Sequence, residues 1–254
     1  MLLDTHAHLA DPVFDPDLIR VIERAKEAGV SAIIAVSENL KEARRNLKLA
    51  EKHPAILPAA GLYPGNLDMQ QAQEMVSFIR RKRDRLVAIG EVGLDRWIVK
   101  EESDRELQQE IFCMFIDLSL ELDLPLNIHS RSAGRHVIAL LLGRGANKVQ
   151  LHAFDGKSST AQPAVEAGYF FSIPPSVVRS RQKQKLVRAL PLSCLLVETD
   201  SPVLGPDPKE RNEPANANVA VNAIAEIKGL SREEVLGALA ANTRQLYGGM
   251  NQVL

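Results

Sequence analysis

Short, continuously apolar runs alternate along the chain with longer segments whose apolar residues recur every three or four positions. The short runs predict strands at Leu2–His6, Ala32–Ser37, Ala55–Gly61, Leu86–Glu91, Leu126–His129, Lys148–His152, Tyr169–Ile173 and Leu195–Asp200. Helical periodicity fills the intervals, over Asp17–Ala28, Leu40–Lys52, Asp68–Arg83, Ser103–Leu122, Ala133–Leu142, Ser159–Ala167 and Arg179–Leu190. Two more helices, Ala217–Ile227 and Arg232–Ala241, are predicted after the last strand. Strand–helix–strand repetition builds a parallel sheet with right-handed crossovers, and strands apolar on both sides are those covered on both faces. Eight such units close a barrel, so the expected fold is an α/β TIM (β/α)8 barrel. An open doubly wound sheet is the alternative, but no glycine-rich phosphate loop follows any strand.

Several strands end in residues that suit no apolar core. His6 and His8 close the first, Glu91 the fourth, His129 the fifth, His152 the sixth and Asp200 the eighth. His6 and His8 are two residues apart and share a face of an extended strand. In one parallel barrel these six side chains converge on the C-terminal mouth, where imidazole and carboxylate donors make a metal centre. A carboxylate such as Glu91 is able to bridge two cations held ~3.5–4 Å apart. Glu198, two residues before Asp200, shares its face at greater depth and is expected to orient a ligand. His53 and His136 have no comparable placement.

Composition narrows the picture. The chain has 254 residues, 45% hydrophobic and 25% charged, with no Pro/Gly/Ser-rich linker, so residues 1–254 are read as one domain. A net charge of −1 lacks the basic excess of a high-affinity duplex reader, so contact with nucleic acid is expected to be local or assisted by bound metal. No apolar stretch approaches the ~20 residues of a membrane span, and Met1-Leu2-Leu3-Asp4 opens directly on a strand. A cytoplasmic monomer is expected. Cys113 and Cys194 are read as free thiols, having no CxxC partner.

Taken in order, Asp4-Thr5-His6-Ala7-His8-Leu9, Gly90-Glu91-Val92-Gly93-Leu94-Asp95, His129-Ser130-Arg131, His152-Ala153-Phe154-Asp155-Gly156, Glu198-Thr199-Asp200-Ser201-Pro202 and Arg211-Asn212-Glu213-Pro214 resemble the TatD-like metal-dependent hydrolases, the TatD-type deoxyribonucleases. The resemblance runs nearly end to end and implies an amidohydrolase-like barrel. It also implies one cation on His6, His8 and Asp200, a second on His129 and His152, and Glu91 between them. Where that family carries Gly-x-His-Pro-His after strand 3, thought to lie near the substrate, this chain reads Gly61-Leu62-Tyr63-Pro64-Gly65. The family's aromatic pair after Gly-Leu-Asp is here Arg96-Trp97.

The expected activity is a phosphodiesterase, a 3′-to-5′ exonuclease on single-stranded or damaged DNA, using a binuclear metal-activated water. Asp200 and Glu91 would be catalytic, with Asp200 as general base. Arg131, Arg211 and Asn212 are candidates to contact phosphate, and the two divalent ions are zinc, magnesium or manganese. Arg179, Arg181 and Lys183 at the catalytic rim, with Trp97 for stacking, are further DNA candidates, whereas Arg80-Arg81-Lys82-Arg83 belongs at the opposite end of the barrel. The competing reading is an amidohydrolase cleaving a C–N or ester bond of a small molecule.

Overall fold

The computed structural model describes residues 1–248, in which eight parallel strands follow one another in chain order. They are β1 (Leu2–Ala7), β2 (Val30–Ala35), β3 (Ile56–Ala60), β4 (Ala88–Gly93), β5 (Leu126–His129), β6 (Val149–Leu151), β7 (Phe170–Ile173) and β8 (Leu195–Val197). Helices α1 (Leu18–Glu27), α2 (Leu40–Lys52), α3 (Met69–Lys82), α4 (Glu102–Leu122), α5 (Gly134–Gly143), α6 (Ser158–Glu166) and α7 (Arg181–Ala189) form the crossovers. After β8 come α8 (Ala217–Lys228) and α9 (Arg232–Tyr247). The barrel is nearly closed: Ala7 bridges Ser201, His8 N–H donates to Ser201 O at 2.8 Å, and Thr5 Oγ1 donates to Val197 O at 2.9 Å. Buried Asp4 strengthens this seam, its carboxylate accepting from Thr199 N (2.8 Å) and Thr199 Oγ1 (2.5 Å).

Two apolar layers result. One lies between strands and helices and takes Leu2, Ala7, Ile89, Val92, Leu126 and Ile128 from the sheet. The other fills the barrel's N-terminal end with Leu3, Ile34, Leu57, Ala88, Phe170 and Leu196, joined by Leu246 and Tyr247 of α9. This explains why α9 runs six residues past the predicted Ala241. Asn242 and Thr243 interrupt the apolar pattern, yet both are buried and satisfied. Asn242 Nδ2 donates to Leu192 O and Leu195 O, and Thr243 Oγ1 to Leu239 O. Tyr247 then plugs the barrel and donates its hydroxyl to Gln150 Oε1 at 2.6 Å.

Side-chain alternation changes phase in two strands. Leu2 and Ala7 both face the helices though an odd number of residues apart, as do Ile89 and Val92. The pairings supply the cause: Asp4 to Ala7 opposes only Ile33 to Ala35, and Ile89 to Val92 opposes only Leu126 to Ile128. Each is a one-residue bulge. With the phase shifted by these bulges, His6, His8 and Glu91 face inward. Gly93 serves the same junction, because a Cβ there would lie 2.0 Å from His129 O, and its φ of +147° suits glycine alone.

A candidate metal centre at the barrel mouth

The six donors predicted from strand ends do converge. Nε2 of His6 lies 3.2 Å from Nε2 of His8 and 3.4 Å from Asp200 Oδ1, and His8 Nε2 is 3.3 Å from that same oxygen. Glu91 stands between the two groups. Its Oε2 is 3.4 Å from His8 Nε2 and 3.8 Å from His6 Nε2, while its Oε1 is 2.5 Å from His129 Nδ1 and 3.1 Å from His152 Nε2. The His6 and His152 rings stack at 4.0 Å, closing the cluster. Asp200 follows the end of β8 with φ +52°, a left-handed turn that aims its carboxylate back over the mouth.

Outer partners set which nitrogen of each imidazole faces the cluster. Asn127 Nδ2 donates to Thr5 O at 2.9 Å, so its Oδ1 is the atom 2.8 Å from His6 Nδ1. His6 therefore carries its proton on Nδ1 and presents a lone pair at Nε2. Asp95 does the same for His129: its Oδ1 accepts from Trp97 N and Ile98 N, and its Oδ2 lies 3.0 Å from His129 Nε2. Glu198 lies beneath the cluster, accepting from Ala153 N (2.8 Å) and Ser172 Oγ (2.5 Å), with Oε2 3.8 Å from His152 Nδ1. It thus braces the backbone just after His152. His152 Nδ1 itself is buried without a hydrogen-bond partner.

Burial and neighbouring charge drive the titrations apart. Burial, helped by His152, holds His6 down to about 3. Burial opposes charging of His8 too, but the Asp200 hydrogen bond and the Glu91 and Asp200 charges prevail and raise it to about 9. At His129 burial is likewise overcome, by Glu91 and Asp95, and the ring is raised to about 10. Glu91 falls well below the usual carboxylate range despite its burial, through His129 and His152. Protons and cations therefore compete for the same positions. Three acceptors, His6 Nε2 and the Glu91 and Asp200 carboxylates, surround His8 Nε2, and one proton there cannot satisfy all three. A divalent cation does, and the donor pairs 3.1–3.8 Å apart, all but His129 Nδ1 and Glu91 Oε1, suit atoms sharing an ion at ~2.0–2.2 Å. The residues fit the metal that their types imply.

A cavity of about 430 Å³ opens over the cluster, lined by Tyr63, Glu38, Arg131, Lys183, Val203 and Leu204 among others. Arg131 lies on its wall with the guanidinium 5.2 Å from the ring centre of Trp97, which is 57% exposed. Tyr63, in place of a family histidine, sets its ring edge-on to His129 at 5.5 Å and its hydroxyl 3.3 Å from Asp95 Oδ2. Lys183 is buried and donates to Ala153 O at 2.8 Å, whereas Arg179 and Arg181 are exposed. Arg80 pairs with Glu121 on the outer surface. Arg211 and Asn212, expected to contact phosphate, are instead engaged by the scaffold and do not line the cavity. Arg211 forks onto Asp17 (2.8 Å twice) above the Phe14 ring, and buried Asn212 donates to Thr199 O and Val203 O at 2.7 Å each. With Glu213 receiving Arg24, Arg-Asn-Glu-Pro is a clasp holding the loop after β8 onto α1.

Sequence reasoning missed Asn127, Asp95 and Glu38. Strand parity could have found Asn127, two residues before His129, just as Gln150 precedes His152.

Known proteins resemble this chain from end to end. The model of the family TatD related DNase matches residues 3–248. The human protein named Deoxyribonuclease TATDN3 is 44% identical over 266 residues, covering 100% of this chain and 97% of its own. A protein of Erwinia tasmaniensis named 3′-5′ ssDNA/RNA exonuclease TatD is 32% identical over 260 residues, covering 97% and 99%. The crystal structure of YJJV, a TatD homologue from Escherichia coli, superposes with a TM-score of 0.89 at 28% identity, over 97% of this chain and 98% of that one. An end-to-end match, with the donors gathered at the mouth of the same barrel, places this chain in the TatD family of metal-dependent hydrolases acting on ester bonds.

Proposed function

We propose that this protein, acting through residues 1–254 as one domain, is a deoxyribonuclease that removes nucleotides from the 3′ end of single-stranded or damaged DNA. The observation that carries this reading is the convergence of four imidazoles and two carboxylates beneath a cavity walled by Arg131. His6, His8 and Asp200 would hold one divalent cation and His129 and His152 another, with Glu91 shared. Bound there, zinc, magnesium or manganese supplies Lewis acidity, which makes water nucleophilic at neutral pH and neutralises phosphoryl charge.

The chain's own groups do the rest. Asp200, held ionised by His8 and its neighbours, accepts the proton of the attacking water. Arg131 grips a non-bridging phosphate oxygen, its guanidinium lying over the Trp97 ring at 5.2 Å from the ring centre. Trp97, exposed at the rim, offers a face to a base, in line with substrate recognition by stacking rather than by duplex reading. The cavity, of about 430 Å³, lies within the ~300–1,000 Å³ of small-ligand sites and takes in one terminal nucleotide. The name of the Erwinia relative, a 3′-5′ ssDNA/RNA exonuclease, agrees with this substrate class.

The test is hydrolysis by metal-stripped protein re-supplied with Mg²⁺, Mn²⁺ or Zn²⁺, on 5′-labelled single-stranded DNA, matching RNA, and small esters and amides. Metal-dependent laddering of DNA from the 3′ end is expected. Turnover confined to small esters or amides, with DNA intact, would favour the amidohydrolase reading instead.

A further inference from the structure

We propose that Glu38 is a further metal ligand of the centre, forming with His8 and Glu91 a cation position on its cavity side. This rests on the reading of the cluster as a metal centre. Glu38 is half-buried on the cavity wall, and donor atoms of His8, Glu38 and Glu91 lie within 4.8 Å of one another. Its backbone is tied at both ends. Glu42 Oε2 accepts from Glu38 N at 2.8 Å, and Glu38 O accepts from Tyr63 N at 3.0 Å. Asn39 next to it caps α2 by accepting from Glu42 N. The side chain is thereby directed into the cavity.

Among the described residues its carboxylate has no hydrogen-bond donor and no salt-bridge partner, yet it faces the carboxylate of Glu91. Two carboxylates sharing a partly buried space call for a positive charge between them, and His8 cannot supply it while also serving His6 and Asp200. A cation can. The position is richer in oxygen than that of His129 and His152, which favours manganese or magnesium there over zinc. Glu38 thus also makes the two halves of the centre unequal, adding a carboxylate on the side of His8 that the side of His129 and His152 lacks.

Calorimetric and EPR titration of the metal-stripped full chain with Mn²⁺ tests this. Glu38→Gln is expected to weaken one Mn²⁺ step by about tenfold or more, leaving the step abolished by His129→Ala within about twofold; Glu38→Asp restores part of the loss. Identical titrations of Glu38→Gln and wild type, with circular dichroism unchanged, would overturn the assignment of Glu38 alone. Absence of stoichiometric Mn²⁺ uptake by wild type would overturn it together with the metal-centre reading.

Discussion

The two halves of the cluster are built differently. His129 and His152 arrive on β5 and β6, where alternation is regular: Asn127 and Gln150 face inward two residues earlier, and Leu126, Ile128, Val149 and Leu151 face the helices. His6, His8 and Glu91 arrive on β1 and β4, each of which carries a one-residue bulge, between Asp4 and Ala7 and between Ile89 and Val92, that takes in His6 or Glu91. A regular strand carries a ligand wherever parity places it, while a bulged strand re-aims it independently of the core residues below. Leu3 and Ala88 can then fill the barrel floor without forcing His6 and Glu91 outward.

Breaking the link between the halves should have the largest effect. Glu91→Ala removes the only carboxylate among the described residues in contact with both pairs of imidazoles, and a loss of DNA hydrolysis by ~10³-fold or more is expected with unchanged circular dichroism. Retention of activity would mean that one half works alone. Next comes Gly93→Ala, whose methyl would strike His129 O where the bulged strand meets the regular one. It is expected to destabilise the fold by ~3 kcal/mol or more in denaturant titration, well beyond an ordinary surface change.

Smaller effects separate the outer partners. Asp95→Asn on the regular side and Asn127→Ala on the bulged side each release one imidazole from its tautomer, and each should cost ~10–100-fold in metal affinity. Mn²⁺ titration would show whether Asp95→Asn acts on the His129 step and Asn127→Ala on the His6 step, as the hydrogen bonds require. Arg131→Ala is expected to raise KM with little change in kcat, and Arg211→Ala to lower Tm with kinetics intact. A rise of KM in Arg211→Ala would return that side chain to the substrate.

The smallest effect concerns pH at the β1–β8 seam. Burial raises the carboxyl of Asp4 from its ordinary 3.8 to about 7. The folded state therefore holds a proton that the unfolded chain releases. Its contribution to stability is complete below about 3.8 and declines as pH rises through about 7. Asp4→Asn, neutral at every pH, should flatten that decline between about pH 4 and pH 7 in thermal melts. A wild-type curve rising across the same interval would contradict the assignment.

Much of this was legible along the chain. Apolar periodicity marked eight strands and nine helices, because a sheet covered on both sides needs unbroken apolar runs. All six clustered donors stood out as polar residues at the ends of those runs. Element ends were less legible. β8 stops at Val197, and α9 continues to Tyr247 because Asn242 and Thr243 find partners that only the folded barrel provides. The placement of Arg211 and Asn212 away from the cavity was illegible for a related reason: a polar side chain in a loop looks the same in sequence whether it faces a cavity or Asp17.

By itself, then, the sequence determined the barrel, the donor types and the family, all of which follow from local pattern and from residue chemistry at strand ends. Tertiary structure alone decided the phase shifts in β1 and β4, the lone-pair directions set by Asn127 and Asp95, and the presence of Glu38 at the cavity. Those depend on atoms brought within a few ångströms from strands far apart in the chain, and no local pattern encodes that proximity.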